Sequence, residues 1–171
     1  RFLAEQVARG AEVRVLTNSL AADDVALVYG GYSKARPDLL EAGVRLWELK
    51  PLPGSTPKKN KMFGSSSASL HTKALAADST RAFVGSYNLD PRSTSLNCEQ
   101  GVFVAQPVIA SQLEQLFAQQ TEPARSWAVT LADGKLRWSD GTKTLDSSPQ
   151  ATRGQKFQAW IAKVLPLDSQ L

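Results

Sequence analysis

From Leu70 to Asn88 the chain carries a polar pattern that leaves little choice of backbone. His71 and Lys73 flank one residue, Asp78 follows, and Gly85-Ser86-Tyr87-Asn88 closes the set, giving H-x-K-x4-D-x6-G-S-x-N. The residues between are apolar or small: Ala74-Leu75-Ala76-Ala77 before Asp78-Ser79-Thr80, and Ala82-Phe83-Val84 after it. Two short apolar runs around a polar triplet predict a β-hairpin, with strands over 70–77 and 81–84. Alternate strand residues share a face, so His71 and Lys73 project side by side. Gly85 permits close backbone approach, and Ser86 and Asn88 fall at the end of the second strand, where they can close a pocket.

An imidazole beside an ammonium is a phosphate-binding pair. Phosphodiesters resist attack because anionic oxygens ring the phosphorus. Cleavage needs a nucleophile, donors for the developing charge and an acid for the leaving oxygen. His71 supplies the imidazole, and Lys73, Asn88 and Ser86 are the candidate substrate-binding donors. The scheme calls for no metal and no cofactor. A zinc site is not expected, because the chain has one His and one Cys, Cys98. Asp78 is a poor partner for His71. It lies at the turn, five residues on, where a strand has run roughly 16 Å.

Around this hairpin, helix and strand patterns alternate. Residues 1–9 read as the end of a helix stopped by Gly10, and Glu12–Leu16 and Val44–Leu49 as strands. Asp23-Asp24 predict a cap for a helix with Val25, Val28, Tyr29 and Tyr32 on its apolar face, weakened by Gly30-Gly31. Pro37 predicts the first turn of a further helix, ending at Gly43. Residues 50–69 form a long basic loop rich in Pro, Gly and Ser. Gln100–Ala105 is another strand, and Pro107 precedes a helix with Ile109, Leu113, Leu116 and Phe117 on one face. After residue 120 the pattern changes to short strands at Trp127–Leu131, Lys135–Trp138 and Lys143–Leu145, with turn signals Asp133-Gly134 and Asp140-Gly141. A last helix places Phe157, Trp160, Ile161, Val164 and Leu165 on one side, a stripe expected to face the core. The predicted fold is an α/β sandwich, a mixed sheet flanked by helices. Residues 1–120 are expected to form the α/β unit that carries the motif, and 121–171 a small β-hairpin and helix extension packed on it.

Hydrophobic residues make up 42% of 171, which argues for a folded globular unit. No apolar run reaches 18 residues, so no membrane-spanning helix is expected. Lys and Arg exceed Asp and Glu by 20 to 16. That mild excess suits an anionic partner without choosing between phospholipid and nucleic acid. The chain opens on Arg1 in what reads as a helix already under way, so it is expected to begin inside a longer protein.

The motif resembles the signature of the phospholipase D superfamily, the HKD phosphodiesterases and phosphatidyltransferases. Further stretches are similar to the C-terminal half of bacterial C-type cardiolipin synthases: Thr17-Asn18-Ser19-Leu20, Leu39–Val44, Ser66–His71, Gly85–Ser93 and Leu165–Leu171. The resemblance implies a phospholipase D-like fold and phosphatidyl transfer through a phosphohistidine. It implies two histidines facing each other across a pseudo-twofold axis, of which this chain holds one. The other comes from a missing N-terminal half or from a second copy, and the chain alone is expected to be nearly inactive. Implied substrates are anionic phospholipids, phosphatidylglycerol with phosphatidylethanolamine as a second candidate. The implied location is peripheral, on the cytoplasmic side of the bacterial inner membrane. By the same resemblance Glu99, eleven residues after Asn88, orients the imidazole, and Asp78 is a framework residue. Whether His71 is nucleophile or general acid stays open. Two other readings also stand: a metal-independent nuclease of the same superfamily acting as a homodimer on nucleic acid, and a non-catalytic module that binds membrane surfaces.

Overall fold

The computed structural model describes residues 2–22, 26–51, 70–88, 93 and 97–164. The expected cap at Asp23-Asp24 and most of the basic loop lie outside them. The described residues form two units, those up to Leu70 together with those from Thr121 on, and His71–Gln120. Both are α/β. The C-terminal strands complete a sheet begun by the N-terminal ones, and the hairpin region forms the second unit.

The first unit holds α1 (Phe2–Ala8), β1 (Arg14–Asn18), α2 (Ala26–Glu41), β2 (Arg45–Leu49), β6 (Ser126–Ala132), β7 (Lys135–Ser139), β8 (Thr144–Leu145) and α4 (Arg153–Val164). Its five-stranded sheet runs β1-β2-β6-β7-β8, with β1 and β2 parallel and the other pairs antiparallel. The parallel pair is joined by α2, as parallel strands require. The predicted hairpin turn at Asp133-Gly134 forms, both residues having positive φ, 51° and 69°. Leu46, Trp127, Val129 and Trp138 are the buried centre.

α2 overrides its own helix breakers. Pro37 does not open a new helix but lies inside a continuous one. Tyr29, Ser33 and Arg36 are buried and Leu40 half-buried. They recur at helical spacing, so packing of that face outweighs the local cost of Gly30, Gly31 and Pro37.

Glu48 sits in this core with no exposed surface. Arg36 Nη1 donates to its Oε1 at 2.7 Å, Tyr32 OH to the same oxygen at 3.1 Å, and Trp138 Nε1 to Oε2 at 2.8 Å. Tyr29 OH lies 3.3 Å from Oε1. Burial, reinforced by the Glu48 charge, pushes Tyr29 up to about 12 and Tyr32 well above its usual range. At the end of β2, Lys50 Nζ bonds Asp140 at 3.1 Å and the Pro123 carbonyl at 2.7 Å. Through Glu48 and Lys50, β2 is tied by polar contacts to the strands that follow residue 120.

α4 departs from expectation. Among its described side chains Ala159 is buried, clustered with Leu20 and Tyr29. Phe157 and Trp160 are 60% and 59% exposed. The expected core stripe therefore does not face the core at these two positions. Gln155 Nε2 donates to the Leu20 carbonyl at 3.1 Å, which fixes the rotation of the helix with its small-residue side inward. The side chains of Ile161 and Val164, and Leu165, lie outside the described residues.

The second unit is a three-stranded antiparallel sheet of β3 (Lys73–Ala77), β4 (Arg81–Gly85) and β5 (Gly101–Val104), with α3 (Pro107–Gln120) packed on β3 and β4. Pro107 opens α3, where its missing N–H costs nothing. Ala110 is its buried residue, with Leu113 and Phe117 half-buried as expected, while Ile109 and Leu116, predicted on the same face, are 41% and 45% exposed. Ala82 is the buried residue on the sheet, and an alanine on each side allows close packing. Among the described residues no helix is long and apolar enough to cross a membrane.

Candidate functional site

The predicted hairpin forms with its turn at Asp78-Ser79-Thr80. Asp78 and Ser79 have φ of 53° and 52°, and the Thr80 N–H donates to the Ala77 carbonyl at 3.1 Å. Asp tolerates the left-handed region better than most residues. The turn is fastened to α3, since Ser79 N–H and Oγ donate to the Glu114 carboxylate at 3.1 and 2.7 Å. Asp78 therefore stands at the end of β3 opposite to His71.

The strand begins at Lys73, not Leu70. Lys73 pairs with Gly85, the last residue of β4, and the chain then turns at Ser86. Residues 70–72 have passed the end of their partner strand. Leu70 is held instead by a side chain. Its N–H donates to Asn18 Oδ1 at 2.7 Å, and Asn18 Nδ2 donates back to its carbonyl at 3.1 Å. One amide thus satisfies both peptide groups of the residue before His71, much as a neighbouring strand would. Sequence reasoning singled out Asn18 only as part of a family-like stretch. The bond pairs positions 52 apart, beyond any local pattern.

His71 is exposed, and Lys73 is half-buried with its Nζ donating to the His71 carbonyl at 3.0 Å. Ser86 joins two chain segments. Its N–H donates to the Gln100 carbonyl at 2.8 Å, its Oγ accepts from the Gln100 N–H at 3.0 Å, and the same hydroxyl donates to Glu99 Oε2 at 2.5 Å. Asn97 Nδ2 reaches Glu99 Oε1 at 3.3 Å. Donation from Ser86, then from Ser93 and Asn97, with the nearby charge of Lys73, holds the Glu99 carboxyl below the usual carboxylate range. Asn88 is exposed, and its backbone N–H donates to Ser93 Oγ at 3.2 Å.

Glycine is required where the segments meet. A Cβ on Gly85 would lie 2.5 Å from the Gln100 carbonyl oxygen and 2.8 Å from Gly101 Cα. Gly101, its cross-strand partner, is covered by the Phe83 ring. An open depression lined by Gly85, Ser86, Glu99, Gln100, Gly101 and Val102 results. Lys73, Ser86 and Glu99 thus share one end of the sheet, beside the segment carrying His71, while Asp78 is at the other. Ser86 already spends its proton on Glu99, so here it holds Glu99 rather than offering a free donor. An ionised carboxylate, an ammonium and an imidazole on one sheet end can bind an anionic oxygen, orient a ring nitrogen and move a proton.

The family model described as the phospholipase D-like domain of cardiolipin synthase matches residues 1–121. The chain belongs to this family. Among curated relatives, this phospholipase D-like chain is 36% identical over 173 residues to Cardiolipin synthase C of Escherichia coli (strain K12), covering 97% of the chain and 36% of that protein. It is 30% identical to Cardiolipin synthase A of Pseudomonas entomophila (strain L48), over 75% of the chain and 23% of the relative. A Helicobacter pylori (strain J99) protein without a described function is 28% identical over 81% of the chain and 27% of its own length. The phospholipase D-like chain thus spans about a quarter to a third of these relatives. No solved structure matches it.

Proposed function

We propose that the protein is a phosphatidyltransferase of the cardiolipin synthase type, to which this chain contributes one of two histidine motifs. The observation that carries the reading is the gathering of Lys73, Ser86 and Glu99 at one end of the β3–β5 sheet, next to His71, in a chain 36% identical to Cardiolipin synthase C. Lys73 Nζ and the Asn88 amide hold the non-bridging oxygens of the phosphodiester. One imidazole attacks phosphorus, and the P–O bond to the departing alcohol breaks as that oxygen takes a proton from the second imidazole. The hydroxyl of an acceptor phospholipid then attacks the phosphohistidine, giving its proton to the imidazole that acted as acid. His71 is one of these two groups. The other belongs to the rest of the same enzyme or to a second copy. Glu99, kept ionised by Ser86, orients the His71 ring and stabilises its protonated form. Asp78 holds the turn.

On this reading the substrates are phospholipids, with phosphatidylglycerol as acceptor and phosphatidylglycerol or phosphatidylethanolamine as donor. The enzyme works as a peripheral protein on the cytoplasmic side of the bacterial inner membrane.

The test uses the full-length enzyme with radiolabelled phosphatidylglycerol, products being separated by thin-layer chromatography. His71→Ala is expected to abolish cardiolipin formation without lowering the melting temperature. Asp78→Asn is expected mainly to lower the melting temperature. Equal loss of activity for both, with unchanged melting, would refute this division of roles. Plasmid nicking in chelator without phosphatidyl transfer would replace the synthase reading by the nuclease one.

A further inference from the structure

α4 is amphipathic and is mounted with its aromatic side outward. Its start is fixed by a capping box: the Gln155 N–H donates to Thr152 Oγ1 at 3.2 Å, and the Thr152 N–H donates to Gln155 Oε1 at 2.9 Å. The inward side is defined by Gln155, bonded to the Leu20 carbonyl, and by Ala159 in the Leu20–Tyr29 cluster. At 3.6 residues per turn Phe157 lies opposite that side, and Trp160 lies at its flank. Their rings stack, with centroids 6.1 Å apart and planes 21° apart, and both are well exposed. Arg153 and Lys156 in the same turns are exposed, Lys156 Nζ reaching Ser147 Oγ at 3.3 Å. The α4 sequence carries Arg153, Lys156 and Lys163 and no acidic residue.

We infer that the outer side of α4 is a docking surface for an anionic lipid bilayer. Charge chooses the occupant. Headgroup phosphates match the exposed Arg153 and Lys156, and no acidic residue of α4 opposes them. Indole and phenyl rings sit at the level where headgroups meet acyl chains, the apolar body inward and the Trp N–H toward water. A helix of 12 residues is about 18 Å long, too short to span a bilayer, but suited to lying in its interface. The inference rests on the phospholipid reading of the active site. It adds an element that holds the enzyme on the membrane containing its substrates.

The experiment is co-sedimentation of the full-length enzyme with vesicles of equal parts phosphatidylglycerol and phosphatidylcholine, beside vesicles of phosphatidylcholine alone. Phe157→Ser/Trp160→Ser is expected to weaken binding to the anionic vesicles about tenfold or more. Arg153→Glu/Lys156→Glu is expected to remove the preference for them. Turnover of vesicle substrate should fall in parallel, while turnover of a short-chain phosphatidylglycerol dissolved as monomers stays within about twofold. Wild-type binding retained by the aromatic double variant overturns the proposal. So does a drop in oligomer mass or in melting temperature of that variant without lipid, since the rings would then be covered by protein. Vesicle binding that is lost in the variants, in an enzyme with no activity on either substrate, would uphold the docking surface and discard the catalytic reading.

Discussion

Replacing Arg36 by Met tests whether the Glu48 network is a buried charge cluster on which the first unit depends. Glu48 has no exposed surface, and Arg36 is its ion-pair partner at 2.7 Å, 6% exposed at the side chain. The guanidinium also lies 4.9 to 5.5 Å from the ring centroids of Trp138, Tyr29 and Tyr32. Met keeps the length of the side chain, so the cavity contribution is small. What remains is a buried carboxylate facing only neutral donors. Loss of one partner of a buried pair costs about 3–5 kcal/mol. For a domain of this size that corresponds to roughly 6–20 °C in melting temperature. Urea unfolding read by tryptophan fluorescence would report it, because Trp127 and Trp138 lie in the affected core. The slope against urea should stay constant while the midpoint moves. Glu48→Gln should cost a similar amount, since it strands the cation instead. The double variant should regain much of either loss, because the Gln oxygen still accepts from Trp138, its amide N–H can donate to the Tyr32 hydroxyl, and neither charge is left alone. If Arg36→Met costs under about 1 kcal/mol and the two changes add, the network is wet and the reasoning fails.

Removing both bonds to Leu70 with Asn18→Ala should lower activity of the full-length enzyme more than tenfold and stability by about 1–3 kcal/mol. A variant with normal turnover per folded molecule would make Asn18 purely structural. Ser86→Ala takes away the first cause of Glu99's lowered pKa. A depressed carboxylate stays ionised to lower pH, so the variant should lose activity at a higher pH as acid is added, and an unmoved acid limb would count against an ionised Glu99. Tyr29 is neutral in the folded protein up to about 12, against 10.0 when unfolded. A raised folded value means stability held below pH 10 and lost as pH climbs toward 12, a fall of about 3 kcal/mol at 1.36 kcal/mol per unit. Tyr29→Phe should flatten that decline in pH-dependent unfolding.

The hairpin was legible because its signals are local. Apolar alternation, a polar triplet and a terminal glycine lie within nineteen residues, and strand, turn and strand followed them. The distant position of Asp78 was legible too, from strand rise alone. The point where β3 begins was not, because it depends on where β4 runs out of backbone to pair. Glu48 was hidden for a related reason. It occupies a core-facing position of β2, two residues after Leu46, and that was the available signal, but an acid in a strand normally reads as solvent-facing. Only the arrival of Arg36 from α2 and of Trp138 from β7 makes its burial tolerable.

By itself the sequence determined the local elements and the chemical kit: one imidazole, a lysine and an asparagine in motif spacing, and a serine and glutamate close enough in the chain to meet. Tertiary structure decided which groups hold which. Ser86 took Glu99, Asn18 took Leu70, and Gln155 turned the aromatics of α4 outward. The physical reason is the same in each case. Periodicity within a segment says which residues share a side, but only the partner brought from far along the chain says what that side will face.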